Sequence, residues 1–268
     1  MFTLSKLARC SDGILASGSI VENEGATRVC RKLLRLERPS HTDLNKVIAG
    51  SLACALMPSG GAGGGGGGGG GGDRLHIGEK LAHLCPNKDF VFLRTSMMPD
   101  GSRAFTTNTW EALVRRAYQM HITGALADVG LDWQKKARFG GGVGVGLNQS
   151  VGSLLTFHGG GPAGTNGGRA AGIADCFRNR DLYADWSPSP FLECQSPLPL
   201  QGHDRALSLI SNSQAVLGVL GTTAERSREM YAAGAYVHHF AKFGAEGEDF
   251  EEAFLGLEQA IENYRSLG

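Results

Sequence analysis

The stretch Ala235–Tyr264, "AYVHHFAKFGAEGEDFEEAFLGLEQAIENY", decides how the rest of this chain is read. Phe250, Phe254, Leu257, Ile261 and Tyr264 follow one another at offsets of 4, 7, 11 and 14 from the first, which is one face of an α-helix. Glu246, Glu248 and Asp249 fall where its first turn would be, and free amide N–H groups there favour negative charge. Upstream, "TTAERSREMYAAGAYVHHFAKFG" opens with Thr222 and Glu225 at capping-box spacing and closes at Gly244, suited to a left-handed helix C-terminus. The pattern predicts one long helix, a tight acidic turn and a second amphipathic helix. A hairpin of this kind leaves a polar face for a partner.

Working outward, the next clear element is "SHTDLNKVIAGSLACALM", Ser40–Met57. Ser40 and Asp43 have capping-box spacing and Pro39 precedes the cap. Leu44, Val47, Ile48, Leu52, Ala55 and Leu56 recur at helical spacing, and Lys46 is the one strong charge after Asp43. A helix with so little polar surface is expected to be buried on most sides, between two layers. Before it, "SIVENEGATRVCRKLLRLERPS" reads as a short strand ending near Val21 and a helix with Val29 and Leu33 inward, stopping before Pro39.

Beyond it, "GEKLAHLCP" reads as a short helix ended by Pro86, and "DFVFLRT" as a strand. "NTWEALVRRAYQMH" reads as a helix capped by Asn108 with Glu111, carrying Trp110, Leu113, Val114 and Ala117 on one face. Strands are expected at Ser153–Phe157 and Ala206–Ile210. Helices and strands mixed without a repeat place the chain in the α/β or α+β class.

Glycine supplies 41 of the 268 residues, concentrated at Gly60–Gly72, Gly140–Gly146 and "HGGGPAGTNGG" from His158. These runs read as linker-like insertions. "GGGVGVG" at Gly140–Gly146 invites comparison with a phosphate loop. Such a loop needs a capped helix directly behind it, whereas "LNQSVGSLLTFH" continues as a strand. A dinucleotide-dependent oxidoreductase read from these glycines fails on the same ground.

Lys plus Arg and Asp plus Glu are both 26, so net charge is zero, which argues against a nucleic-acid or anionic-membrane footprint. The six cysteines are scattered without a C-x-x-C pair, which favours reduced thiols and a cytoplasmic setting. No apolar run approaches 18 residues, so no membrane span is expected. None of the eight histidines has metal-ligand spacing, and no metal site is expected.

The terminal hairpin resembles the last two helices of tubulins, and its "FG-x-E-x-EDF" opening with the later "LEQ" resembles the delta branch of that family. Three further stretches agree in order. Leu4–Ala49 resembles the tubulin segment running from the "DNEA" strand into the central helix. "TNTWEALVRRAYQM" with "GLDWQ" resembles the delta-type intermediate domain, as does "LISNSQAV". The resemblance implies the end of a tubulin/FtsZ-type nucleotide-binding domain with its central helix (1–58), a glycine-rich insertion (59–73), an α+β intermediate domain forming a two-layer sandwich (74–215) and a C-terminal helical hairpin (216–268). The family's own phosphate loop lies before the "DNEA" strand, while Gly140–Gly146 lies more than a hundred residues after it. That loop is therefore expected upstream of Met1.

By resemblance, Asn23 and Asn45 occupy the positions that hydrogen-bond the guanine base, and His41 replaces the tyrosine that stacks on it. Glu79 occupies the position of the hydrolytic acid that reaches the nucleotide of the next subunit in a filament, although Arg74 and His76 depart from the family pattern. Read from the residues alone, Asn23 and Asn45 are turn and cap residues and Glu79 is a solvated helix acid. The implied cofactor is GTP, with Mg2+ only through it, held weakly or not at all by this chain. The implied activity is at most that of a GTPase at a filament contact, and the role is primarily structural. The implied partners are other tubulins or microtubule ends, at centrioles and basal bodies supporting triplet microtubules and cilia. The chain closes on "YRSLG" without the glutamate-rich tail of wall-forming chains, which the resemblance reads as a specialised tubulin. The alternative is a truncated, nucleotide-free tubulin paralogue acting as an interaction module.

Overall fold

Strands Ser150–His158 (β5) and Ala206–Ser213 (β7) are buried at every position, and the rest of the fold is arranged to cover them. The computed structural model describes residues 18–20, 26–27, 29–33, 36–57, 59–61, 74–99, 109–125, 131–135, 146–159, 172–200, 203 and 205–267. Within them the strands form one seven-stranded mixed sheet in the order β1-β4-β7-β5-β6-β2-β3. The others are Gly18–Ile20 (β1), Ser59–Gly61 (β2), Arg74–Leu75 (β3), Phe92–Pro99 (β4) and Phe191–Ser196 (β6). β1 runs parallel to β4 and β5 parallel to β6, while β4–β7, β7–β5, β6–β2 and β2–β3 are antiparallel.

On one face lies the helix Trp110–Thr123, numbered α3 here in chain order. Trp110, Leu113, Val114 and Ala117 are buried as their spacing predicts, with the Trp110 ring edge-on to Phe157 of β5 at 5.3 Å. The cap is Thr109, whose hydroxyl accepts from the Ala112 amide, and Asn108 lies outside the described residues. Cap propensity ranks Asn above Thr, so the choice of Thr109 follows from where the buried face starts and not from propensity. Gly124 closes α3 in the left-handed region at φ 67°.

The opposite face carries His41–Leu56 (α1) and Ile77–Leu84 (α2). α1 opens at the Ser40/Asp43 capping box. Val47, Gly50, Ser51 and Cys54 are buried, whereas Leu52 is 38% and Leu56 65% exposed. The expectation of burial on most sides therefore fails on that flank. The segment before α1 forms a π-helical turn at Val29–Leu33, with Cys30 as its fully buried residue and Val29 packed beside it.

β6 and the short β2–β3 pair escape a reading by periodicity. Ser59–Gly61 opens what reads as a linker but pairs with β6, and its partner Arg74–Leu75 lies beyond the glycines. β2 and β3 are set by backbone pairing with too few side chains to leave a pattern, and β6 buries Glu193 and Ser196 among its apolar residues, which breaks the alternation. His158, which opens another glycine patch, is the buried last residue of β5.

Leu217–Ala232 (α4), Val237–Ala241 (α5) and Gly247–Arg265 (α6) end the chain. Phe250, Phe254, Leu257, Ile261 and Tyr264 are all buried. Tyr231 stacks on Phe250 at 4.7 Å, and Arg228 pairs with Glu258 between α4 and α6. The expected single helix from Thr222 to Gly244 is two. Gly234 takes φ 66° and closes α4 with Gly234 N–H to Tyr231 O and Ala235 N–H to Met230 O, the paired bonds of a Schellman stop. Gly244 repeats that geometry after α5. Thr222 lies inside α4 and donates its hydroxyl to Gly218 O, so it is no cap.

Candidate functional site

The Ser40/Asp43 box sets the first turn of α1. Ser40 N–H donates to Asp43 Oδ2 at 2.9 Å, and the Asp43 amide donates back to Ser40 Oγ at 3.2 Å. The Ser40 hydroxyl, which donates to Asp43 Oδ2 at 2.7 Å, and the Ser40 amide together hold the Asp43 carboxyl below its usual value. The turn they fix presents His41 and Asn45, four residues apart and both exposed, as neighbours on one helix face. An amide can donate to and accept from a purine edge, and an imidazole can stack on its plane. Together they offer a donor, an acceptor and a flat ring on one exposed helix face. Asn23 lies outside the described residues.

Glu79 stands on another helix, at the third position of α2. Its Oε2 accepts the His76 amide at 2.8 Å, so this exposed carboxylate caps α2. Its neighbour Lys80 is 1% exposed and donates to Met57 O at 2.6 Å. Met57 is the C-cap of α1, which carries no basic residue in its last turn. The buried ammonium therefore supplies the cation that the negative end of α1 attracts. Burial also pushes the Lys80 pKa down. Sequence reasoning passed over Lys80, although its place four residues before Leu84, on the inward face, was the available signal.

A capped helix presenting His41 and Asn45, a mixed sheet beneath it and an α4–α6 pair packed on the sheet end form an architecture compatible with a tubulin-type chain. The comparisons agree with that class. The whole chain is similar to tubulin delta chains: 28% identical over 283 residues to that of Macaca fascicularis, 28% over 284 to that of Mus musculus and 27% over 283 to that of Homo sapiens. The chain spans 59% of the length of these relatives. No family model matches it. The delta-branch resemblance read from the residues thus extends over the full chain. None of the described helices is long and apolar enough to cross a membrane.

Proposed function

We propose that this chain is part of a delta-tubulin-like cytoskeletal protein that assembles with other tubulins at centrioles and basal bodies and supports triplet microtubules and cilia. The carrying observation is the similarity to tubulin delta chains over the entire chain. A tag at the endogenous locus tests it. Enrichment at centrioles or basal bodies is the expected result, and uniform cytoplasmic staining with normal centriole ultrastructure after deletion would overturn it.

The nucleotide of such an assembly is GTP, with Mg2+ arriving on its phosphates. Asn23 and Asn45 are proposed to read the base and His41 to stack on it. When bound, the nucleotide supplies a hydrolysable phosphoanhydride, and Glu79 is the candidate for orienting water at a neighbouring subunit. Two amide contacts of about 0.5–1.5 kcal/mol each and one stack of about 1–3 kcal/mol amount to roughly millimolar affinity. The chain alone is thus expected to bind labelled GTP no more tightly than about millimolar. Micromolar binding in an equilibrium titration would show that the chain holds phosphate contacts as well.

The nucleotide-free interaction module is favoured by one observation, the use of the Glu79 carboxylate as the cap of its own helix. Glu79→Gln separates the readings. In a nucleotide-free module Gln keeps the cap on the His76 amide and there is no assembly-linked GTP turnover to lose, whereas with a catalytic Glu79 the unsubstituted chain turns over GTP and the variant does not.

A further inference from the structure

The sheet face beneath α1 and α2 changes character along β5. Leu154 packs with Leu84, Cys85, Leu93, Cys194 and Ile210. Two and four residues later on the same face come Thr156 and His158. Register places Ser208 and Cys194 on either side of Thr156, and Ser196 beside His158. Polar side chains therefore continue a layer that begins apolar.

All of these groups are sealed. Thr156, His158, Ser196 and Lys80 are each 1% exposed. His158 Nε2 meets Ser208 Oγ at 2.9 Å, but His158 Nδ1, Thr156 Oγ1 and Ser196 Oγ have no partner among the described residues. Lys80, whose ammonium has three protons and acts electrostatically on His158, bears on this layer from α2. Directly paired positions stand about 5 Å apart and successive same-face positions about 7 Å apart. Those are the separations one or two bridging water molecules span.

We infer that the seam between α1–α2 and the end of β5 is a buried water-binding site, in which ordered water links the Lys80 ammonium to Thr156, Ser196 and Nδ1 of His158. Water fits because His158 Nδ1 offers one site, the Thr156 and Ser196 hydroxyls can take either role, the Lys80 ammonium keeps protons beyond the one given to Met57 O, and an internal water makes two to four such bonds. A dry seam would leave three orphaned polar atoms on one small patch, against the strong rule that buried polar groups are satisfied. The site also seats α1, the helix carrying His41 and Asn45, on directional bonds as well as apolar contact.

Thr156→Val tests the inference by its sign, because valine matches threonine in shape and removes only the hydroxyl. In a dry seam the substitution deletes an orphaned group and raises Tm. In a hydrated seam it strips a ligand from bound water and lowers Tm by about 2–4 °C. Ser196→Ala is the second variant, with the same expected direction. Oxygen-17 relaxation dispersion on the full chain reads the water directly: the long-lived population is expected to fall by at least one molecule in the double variant. A raised Tm with an unchanged long-lived population would overturn the inference, and so would a crystal structure showing the seam closed and dry.

Discussion

Tyr264 Oη lies 2.6 Å from Asn212 Oδ1, a buried bond between residues 52 apart in sequence. The same phenol accepts the Phe92 amide at 2.9 Å, while Asn212 Nδ2 donates to Leu84 O at 2.8 Å and Phe90 O at 2.7 Å. One pair of side chains thus joins α6, β7, the start of β4 and the end of α2. Tyr264→Phe keeps the ring and strands two polar groups. Stability is expected to fall by about 1–3 kcal/mol, read from the urea midpoint at unchanged m value. An unchanged midpoint would mean that this junction does not hold the C-terminal helix to the sheet.

His121 and His158 set the acid limit of the fold. Burial pushes each from an ordinary value of 6.5 down to about 4, with the Lys80 charge adding to the effect at His158. The unfolded chain therefore takes up protons first as pH falls. Stability is complete above pH 6.5 and is lost between 6.5 and about 4, by up to about 1.4 kcal/mol per pH unit for each histidine. Urea midpoints across that range, for the chain and for His158→Gln, are expected to show a shallower slope in the variant.

Two glycines in the C-terminal region are expected to respond with opposite signs. Gly234→Ala meets no steric neighbour but must adopt φ 66°, which costs about 1–2 kcal/mol. Gly221→Ala lies inside α4 with equally open space and no left-handed requirement, so it is expected to stabilise by about 0.5–1 kcal/mol. Thermal unfolding of both variants checks the Schellman stop directly. A Gly234→Ala variant as stable as the unsubstituted chain would count against the left-handed stop at Gly234.

Thiol chemistry is expected to be slow in the native chain. The five described cysteines are free, and burial pushes Cys54 up to about 11, Cys85 to about 12 and Cys176 to about 11, with Cys30 and Cys194 also raised. Nucleophilic thiolate is scarce at pH 8, and Cys30, Cys54, Cys85 and Cys194 are buried while Cys176 is partly exposed. Mass spectrometry after a disulfide reagent is expected to find Cys54, Cys85 and Cys194 unmodified until denaturant is added. Labelling of Cys85 in the native chain would show that α2 opens readily.

Of the candidate site, the sequence shows His41 and Asn45 as neighbours on one capped helix, because a spacing of four and a Ser/Asp cap are local facts. It offers Glu79 only as an acid at the start of a helix. That its carboxylate folds back on the His76 amide appears in the structure. Lys80 looks like any lysine on a short helix until Met57 O is seen beside its ammonium.

The sequence by itself determined the elements whose reasons lie within a few residues. The Ser40/Asp43 box, the Trp110–Ala117 face and the Phe250–Tyr264 face each follow from intrahelical bonds and a 3.6-residue period that any reader of the chain can count. Tertiary structure alone decided the strand order, the pairing of β2 and β3 around the glycines, the burial of Lys80 and the meeting of Tyr264 with Asn212. Each joins residues far apart along the chain, and its free energy depends on what else is packed there. No local pattern carries that information, because the partner that satisfies a buried hydroxyl or ammonium is supplied by the fold and not by the neighbouring sequence.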